Sequence, residues 1–168
     1  MRIAHLFVMA ALIAPVGGTT IGALPLGPGP SAAHAHDWND GAVAWKSLDD
    51  ALPLAKKEQK PVCLVVYTEW CPHCGNYSKV FHDPKVVEKA KQFVMVRLDQ
   101  DKEKDRTGKY APDGGYIPRT MFLAADGTLA ADVHAPREKF LYFYDEKDPA
   151  SVLAGMDAAL AKLGPAKK

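Results

Sequence analysis

The sequence predicts an α/β fold, a single domain built on a mixed β-sheet flanked by helices. A continuous apolar run rich in β-branched residues, Pro61 to Tyr67, has the composition of a strand buried on both faces, and Phe93 to Leu98 reads as the next buried strand. Helical patterns flank and separate them, and the Asp126-Gly127 dipeptide further on is a strong hairpin-turn signal. Strand, helix, strand, hairpin and closing helix make a sheet covered by helices. The chain has 168 residues, 48% of them hydrophobic, which suffices for one core without disulfide staples.

Each element has its own local cause. Ser47-Leu48-Asp49-Asp50 has the Ser-x-x-Asp form of a helix start and leads into Ala51 to Gln59. Pro53, beyond the first turn, removes an amide donor and predicts a kinked or late-starting helix. Pro72 to Phe81 reads as a helix with proline in its first turn, and a second short helix runs from Pro84 to Lys91. Asp99 to Gly115, charged and then glycine-rich, reads as a solvated connection. Thr120 to Leu123 and Leu129 to Val133 are the two arms of the hairpin. Pro149 to Leu163 closes the chain as an amphipathic helix with Val152, Met156, Ala159, Leu160 and Leu163 on one stripe.

The first thirty-five residues read as an address. After Arg2 no charged residue occurs until Asp37, and the most apolar stretch, Ile3 to Ala14, falls short of the roughly 20 residues that span a bilayer. Ala33-His34-Ala35 has the small-x-small pattern of a signal-peptidase site. Residues 1–35 are therefore expected to be a cleaved secretory signal and 36–168 the domain, with no membrane span after cleavage. The competing expectation is an uncleaved anchor over Ile3 to Leu26. The end of the chain, Gly164 to Lys168, carries no Lys-Asp-Glu-Leu retention signal, so a periplasmic or secreted location is expected. Charge is balanced at 21 Lys+Arg against 20 Asp+Glu, and losing Arg2 with the signal makes it 20 against 20. A nucleic-acid partner is excluded on this ground, because phosphate recognition needs a basic surplus.

Trp70-Cys71-Pro72-His73-Cys74 carries the chemistry. A Cys-x-x-Cys opening a helix after a buried strand sets the first sulfur against the unpaired amides and positive end of that helix. Thiolate pKa values in such motifs fall to about 3.5–7.5, against about 8.5 for a free cysteine. Cys71 is expected to be the exposed attacking thiol and Cys74 the buried resolving thiol. Pro72 and His73 tune the potential, the imidazole favouring the thiolate. No organic cofactor is needed, since the pair itself holds two electrons. Half of a zinc site and an inert structural disulfide are the bland alternatives. A structural zinc needs four ligands, and His82 and His134 are scattered rather than set at ligand spacing, so no metal site is assigned. Cys63, mid-strand among Val62, Leu64 and Val65, reads as a buried unreactive thiol. Trp38, Trp45 and Trp70 read as packing residues, with Trp70 also shaping the rim around Cys71.

On these residues the chain resembles the thioredoxin superfamily. Lys60-Pro61-Val62 through Trp70-Cys71 is similar to the thioredoxin approach to its active site, and Pro72-His73 to the dipeptide of the Dsb-type periplasmic oxidases. Tyr110-Ala111-Pro112-Asp113-Gly114-Gly115-Tyr116-Ile117-Pro118-Arg119, then Leu141-Tyr142-Phe143-Tyr144, look closer to the anterior-gradient proteins and their small thioredoxin-like relatives. The likeness covers about 38–163. It implies a thioredoxin fold, a cis-Pro118 facing the cysteine pair, and client binding along the backbone at Ile117 beside Cys71. There are departures. The buried aspartate that thioredoxins keep six residues before the first cysteine is Val65 here, so proton handling for Cys74 falls to water, Glu69 or Lys79. The inserted helical domain of the Dsb-type oxidases has no room between Cys74 and Pro118.

The expected function is thus thiol–disulfide exchange with protein clients through a Cys71 mixed disulfide that Cys74 resolves, with a separate redox protein as partner. The alternatives are a client-binding, chaperone-like module with dispensable cysteines, or a metal-handling protein.

Overall fold

The computed structural model describes residues 36–164, so the expected signal segment falls outside the described residues. At the centre of a three-stranded sheet of order β2-β1-β3 lies β1, Val62–Tyr67. The second strand, β2 (Val94–Asp99), runs parallel to it with Val62 opposite Val94 and Tyr67 opposite Asp99. The third, β3 (Arg119–Leu123), runs antiparallel with Val62 opposite Leu123 and Val65 opposite Thr120.

All of β1 is buried, because alternate side chains serve two layers. Val62, Leu64 and Val66 pack with Leu48, Ala51 and Ala55 of α1 (Leu48–Glu58). Cys63, Val65 and Tyr67 face the other layer, which holds α2 (Pro72–Ser78), α3 (Pro84–Ala90) and α5 (Pro149–Leu163). The sheet is thus mixed and covered on both faces, as the apolar runs require.

Local rules account for most boundaries. Ser47 caps α1, its Oγ accepting from the Asp50 amide at 3.2 Å and donating to the Asp50 carboxylate at 2.7 Å. α1 does not start late: it begins at Leu48 and runs on through Pro53. That proline lies on the exposed face, where solvent can reach the Asp49 carbonyl left without a helical donor. The helix expected over Pro72 to Phe81 is α only to Ser78 and tightens into a 3-10 turn over Lys79–His82. Asp83 then stands extended before Pro84 and caps α3, accepting from the Lys85 and Val86 amides.

Two differences follow from the polar segments. The connection expected between Asp99 and Gly115 contains a short helix, α4 (Lys104–Lys109), which buries only Thr107 and so carries no apolar stripe to announce it. The hairpin turn forms at Asp126-Gly127, with Gly127 at φ 89°, but the second arm reduces to a single bridge between Leu123 and Leu129. Beyond it the outer edge of β3 is shared. The Ala130 amide donates to the Phe122 carbonyl at 2.9 Å, while the Thr120 amide donates to the Tyr142 carbonyl at 2.8 Å.

In α5, Val152, Gly155, Met156 and Ala159 are buried. Gly155 lies directly under Tyr144, where a Cβ would meet the ring and hydroxyl at 2.5 Å. No helix among the described residues is long and apolar enough to cross a membrane.

Candidate active site

Cys71 is the N-cap of α2, with φ −79° and ψ 115°. This turns its side chain back over the first helical turn, where Sγ accepts from the Cys74 amide at 3.3 Å. The sulfur is therefore not the exposed group that the motif suggests, and Cys71 is only 3% exposed. Cys74 is fully buried, and burial pushes its thiol well above the ordinary range, with the Cys71 sulfur and the charge of Glu146 acting in the same direction. All three cysteines are free thiols. Cys63 is fully buried in β1, and burial likewise pushes its thiol up, which suits an inert packing residue.

The loop before β3 faces this turn. The Ile117–Pro118 peptide is cis, and the Ile117 carbonyl oxygen lies 4.0 Å from the Cys71 sulfur. Pro118 is buried and Ile117 half-buried. Arg119 beside them is 1% exposed, and among the described residues no carboxylate forms an ion pair with its guanidinium. Instead it donates to the carbonyls of Tyr110, Tyr116 and Thr107 and to the Gln100 side chain, at 2.6–3.1 Å. One buried cation thereby ties the segment 100–116 to the Ile117–Pro118 corner.

Of the two roles expected of Trp70, packing and shaping the rim, the structure places it on the surface rather than in the core. It is 69% exposed, with its indole N–H donating to Asp101 Oδ2 at 2.7 Å, so it stands as a rim group next to Cys71. Trp38 and Trp45 do pack, edge to face at 6.0 Å, with the Arg97 guanidinium over both rings. Amino-terminal to them, His36 rests on the active-site turn. Its Nε2–H donates to the Thr68 carbonyl at 3.1 Å, and its ring lies where a Cβ on Gly75 would come within 2.9 Å.

Of the two side chains expected to handle a proton for Cys74, Glu69 is paired with Lys102 at 2.6 Å. Lys79 is exposed and lines a cleft with Asn76 and Glu146. Sequence reasoning missed Glu146. This residue lies between the Tyr142–Tyr144 segment and α5, and its carboxylate is 12% exposed. Its Oε2 accepts from His73 Nδ1 at 2.7 Å and its Oε1 from Asn76 Nδ2 at 3.0 Å. His73 is otherwise open to solvent, and its ring stands edge-on to Phe143 at 6.1 Å. Together they border a cleft of about 590 Å³ floored by Ala135, Pro136 and Phe143. Among the described residues, no group of three or more His, Cys, Asp or Glu is placed to hold a metal ion.

The arrangement brings two thiols three residues apart onto one helical turn, beside a backbone carbonyl and next in sequence to an exposed tryptophan. A thioredoxin-like family profile matches residues 44–125. The Homo sapiens anterior gradient protein 2 homolog is 34% identical over 128 residues, 75% of this chain and 71% of that one. A thioredoxin from Thermus thermophilus superposes with a TM-score of 0.58 at 20% identity, over 74% of this chain and 92% of its own. The DsbH oxidoreductase gives 0.56 at 20% identity over 71% and 85%. These two likenesses establish the thioredoxin fold, and by the extent and level of the identity the chain belongs to the anterior gradient protein family of thioredoxin-like proteins.

Proposed function

We propose that the protein is a thiol–disulfide oxidoreductase of the cell envelope that acts on protein clients. The Cys71 thiolate attacks a client disulfide, one client sulfur leaves as a thiolate, and a mixed disulfide with Cys71 forms. Cys74 then attacks the Cys71 sulfur, closing the Cys71–Cys74 disulfide and releasing the second client thiol. The client gains two electrons and the pair loses two, and the reverse sequence oxidises a client dithiol. Pro72 and His73 tune the pair, and Trp70, Ile117 and Pro118 border the place where client backbone lies. A separate redox protein of the same compartment returns the pair to its working state, and residues 1–35 direct export to a periplasmic or secreted location.

One observation carries this reading: the Cys71 sulfur sits at once on the Cys74 amide and 4.0 Å from the carbonyl next to cis-Pro118. An extended client segment meeting that carbonyl would place its disulfide beside the attacking sulfur. Reduction of insulin disulfides with dithiothreitol as the electron source tests it. Multiple turnovers per protein are expected. A wild-type protein that binds unfolded clients yet reduces none contradicts catalysis and supports the client-binding module instead.

A further inference from the structure

Among the described residues two large apolar side chains stay exposed, Trp70 at 69% and Phe140 at 54%. Both border the place where a client disulfide would meet Cys71. Trp70 precedes that cysteine in the chain. The Phe140 ring lies edge to face with Tyr116 at 4.9 Å. Tyr116 in turn precedes Ile117, whose carbonyl oxygen is 4.0 Å from the Cys71 sulfur.

The backbone at Phe140 is left-handed, with φ 54°, a conformation that glycine and asparagine adopt readily and a bulky side chain does not. The other non-glycine residues in this region have local reasons: Asn39 is an asparagine, and Gln59 is the C-cap of α1. Phe140 has neither. It is held in place by hydrogen bonds that tie the chain after it to the tyrosine beneath its ring. The Asp113 carboxylate accepts from the Tyr116 hydroxyl at 2.7 Å and from the Leu141 amide at 2.7 Å. The Tyr116 hydroxyl accepts from the Tyr142 amide at 2.9 Å. A buried ring would offset such strain by packing, whereas this ring meets solvent, so folding alone does not account for a phenylalanine here.

We propose that Phe140, seated on Tyr116, is a specificity-determining residue: it receives an apolar side chain of an extended client segment, within about four residues of the client cysteine. This rests on the exchange reading of the cysteine pair, in which the client backbone lies along Ile117. The residues before Phe140 are Arg137, Glu138 and Lys139, which carry both signs, so the aromatic face rather than charge sets the preference.

The test uses the reduced full-length protein and short peptides whose single cysteine is linked to a nitrobenzoate thiol. Phenylalanine or serine is placed in turn at each of the four positions on either side of that cysteine, and release of the coloured thiolate gives the rate constant of attack. In wild type the best-placed phenylalanine is expected to react about tenfold faster than serine at the same position. In Phe140→Asn, which suits a left-handed backbone, that ratio is expected to fall to about one. Its rate with a nitrobenzoate disulfide lacking peptide stays at the wild-type value, and its melting temperature equals or exceeds that of wild type. A wild-type protein that shows no preference for phenylalanine at any position overturns the proposal, whether or not the variant folds. So does a folded variant that keeps the wild-type ratio, or one that melts lower and slows equally on both peptides, which would make Phe140 a folding residue. A wild-type dimer that Phe140→Asn converts to a monomer gives this face to a second copy of the chain and overturns it as well. A wild-type protein that releases no colour from any substrate overturns the exchange reading beneath it.

Discussion

Cys71→Ser is expected to lower client turnover by more than about a thousandfold, while Cys74→Ser accumulates a covalent client adduct. The two substitutions separate because the sulfurs have different tasks. Serine is a favoured N-cap, so Cys71→Ser keeps the cap of α2 through an oxygen where the Cys71 sulfur now accepts from the Cys74 amide. It loses only the nucleophile. Cys74→Ser keeps the nucleophile and removes the group that frees it, so the mixed disulfide persists on a non-reducing gel. Turnover in Cys71→Ser close to wild type would end the assignment of roles.

Arg119→Met is expected to cost about 3–5 kcal/mol of stability, four buried oxygen acceptors losing their donor at about 1 kcal/mol or more each. The side chain is 1% exposed, and four oxygen acceptors from Gln100, Thr107, Tyr110 and Tyr116 converge on it. Methionine fills the volume and leaves those acceptors without a donor. Lysine does not restore the site, because one ammonium cannot reproduce the spread of the guanidinium. Urea denaturation of the purified variants measures the loss. Client turnover should fall with it, because the Ile117–Pro118 corner hangs from the same guanidinium. A change below about 1 kcal/mol would show that the segment 100–116 holds itself in place.

What the sequence revealed and what it hid divide along physical lines. A strand buried on both faces favours apolar residues, so β1 stands out as an unbroken run and β2 as a run broken by Arg97 and closed by Asp99. The cap at Ser47 and the turn at Gly127 are local rules, readable within four residues. The helix α4 was not readable, since a surface helix that buries only Thr107 has no stripe. Arg119 reads as an ordinary charge at the start of a strand, because its acceptors are mostly backbone carbonyls and leave no trace in residue types. The cysteine pair and the Ile-Pro corner were legible from spacing and resemblance, but the burial of Cys71 was not: it depends on an N-cap rotation that folds the sulfur over its own helix. Glu146 lies 73 residues from His73 in a charged run, Asp145-Glu146-Lys147-Asp148, where nothing marks one carboxylate from its neighbours.

The central claim is that Cys71 and Cys74 form one reversible redox couple while Cys63 takes no part. Equilibrating the protein with graded mixtures of reduced and oxidised glutathione, then trapping and mapping its thiols by mass spectrometry, tests it most directly. A single two-electron transition is predicted, with a midpoint between about −270 and −120 mV, the lower end marking a reductant and the upper an oxidant. Cys71 and Cys74 are linked in the oxidised form, and Cys63 is alkylated only after unfolding. A protein that keeps all its thiols at every ratio, or a disulfide that includes Cys63, would contradict it.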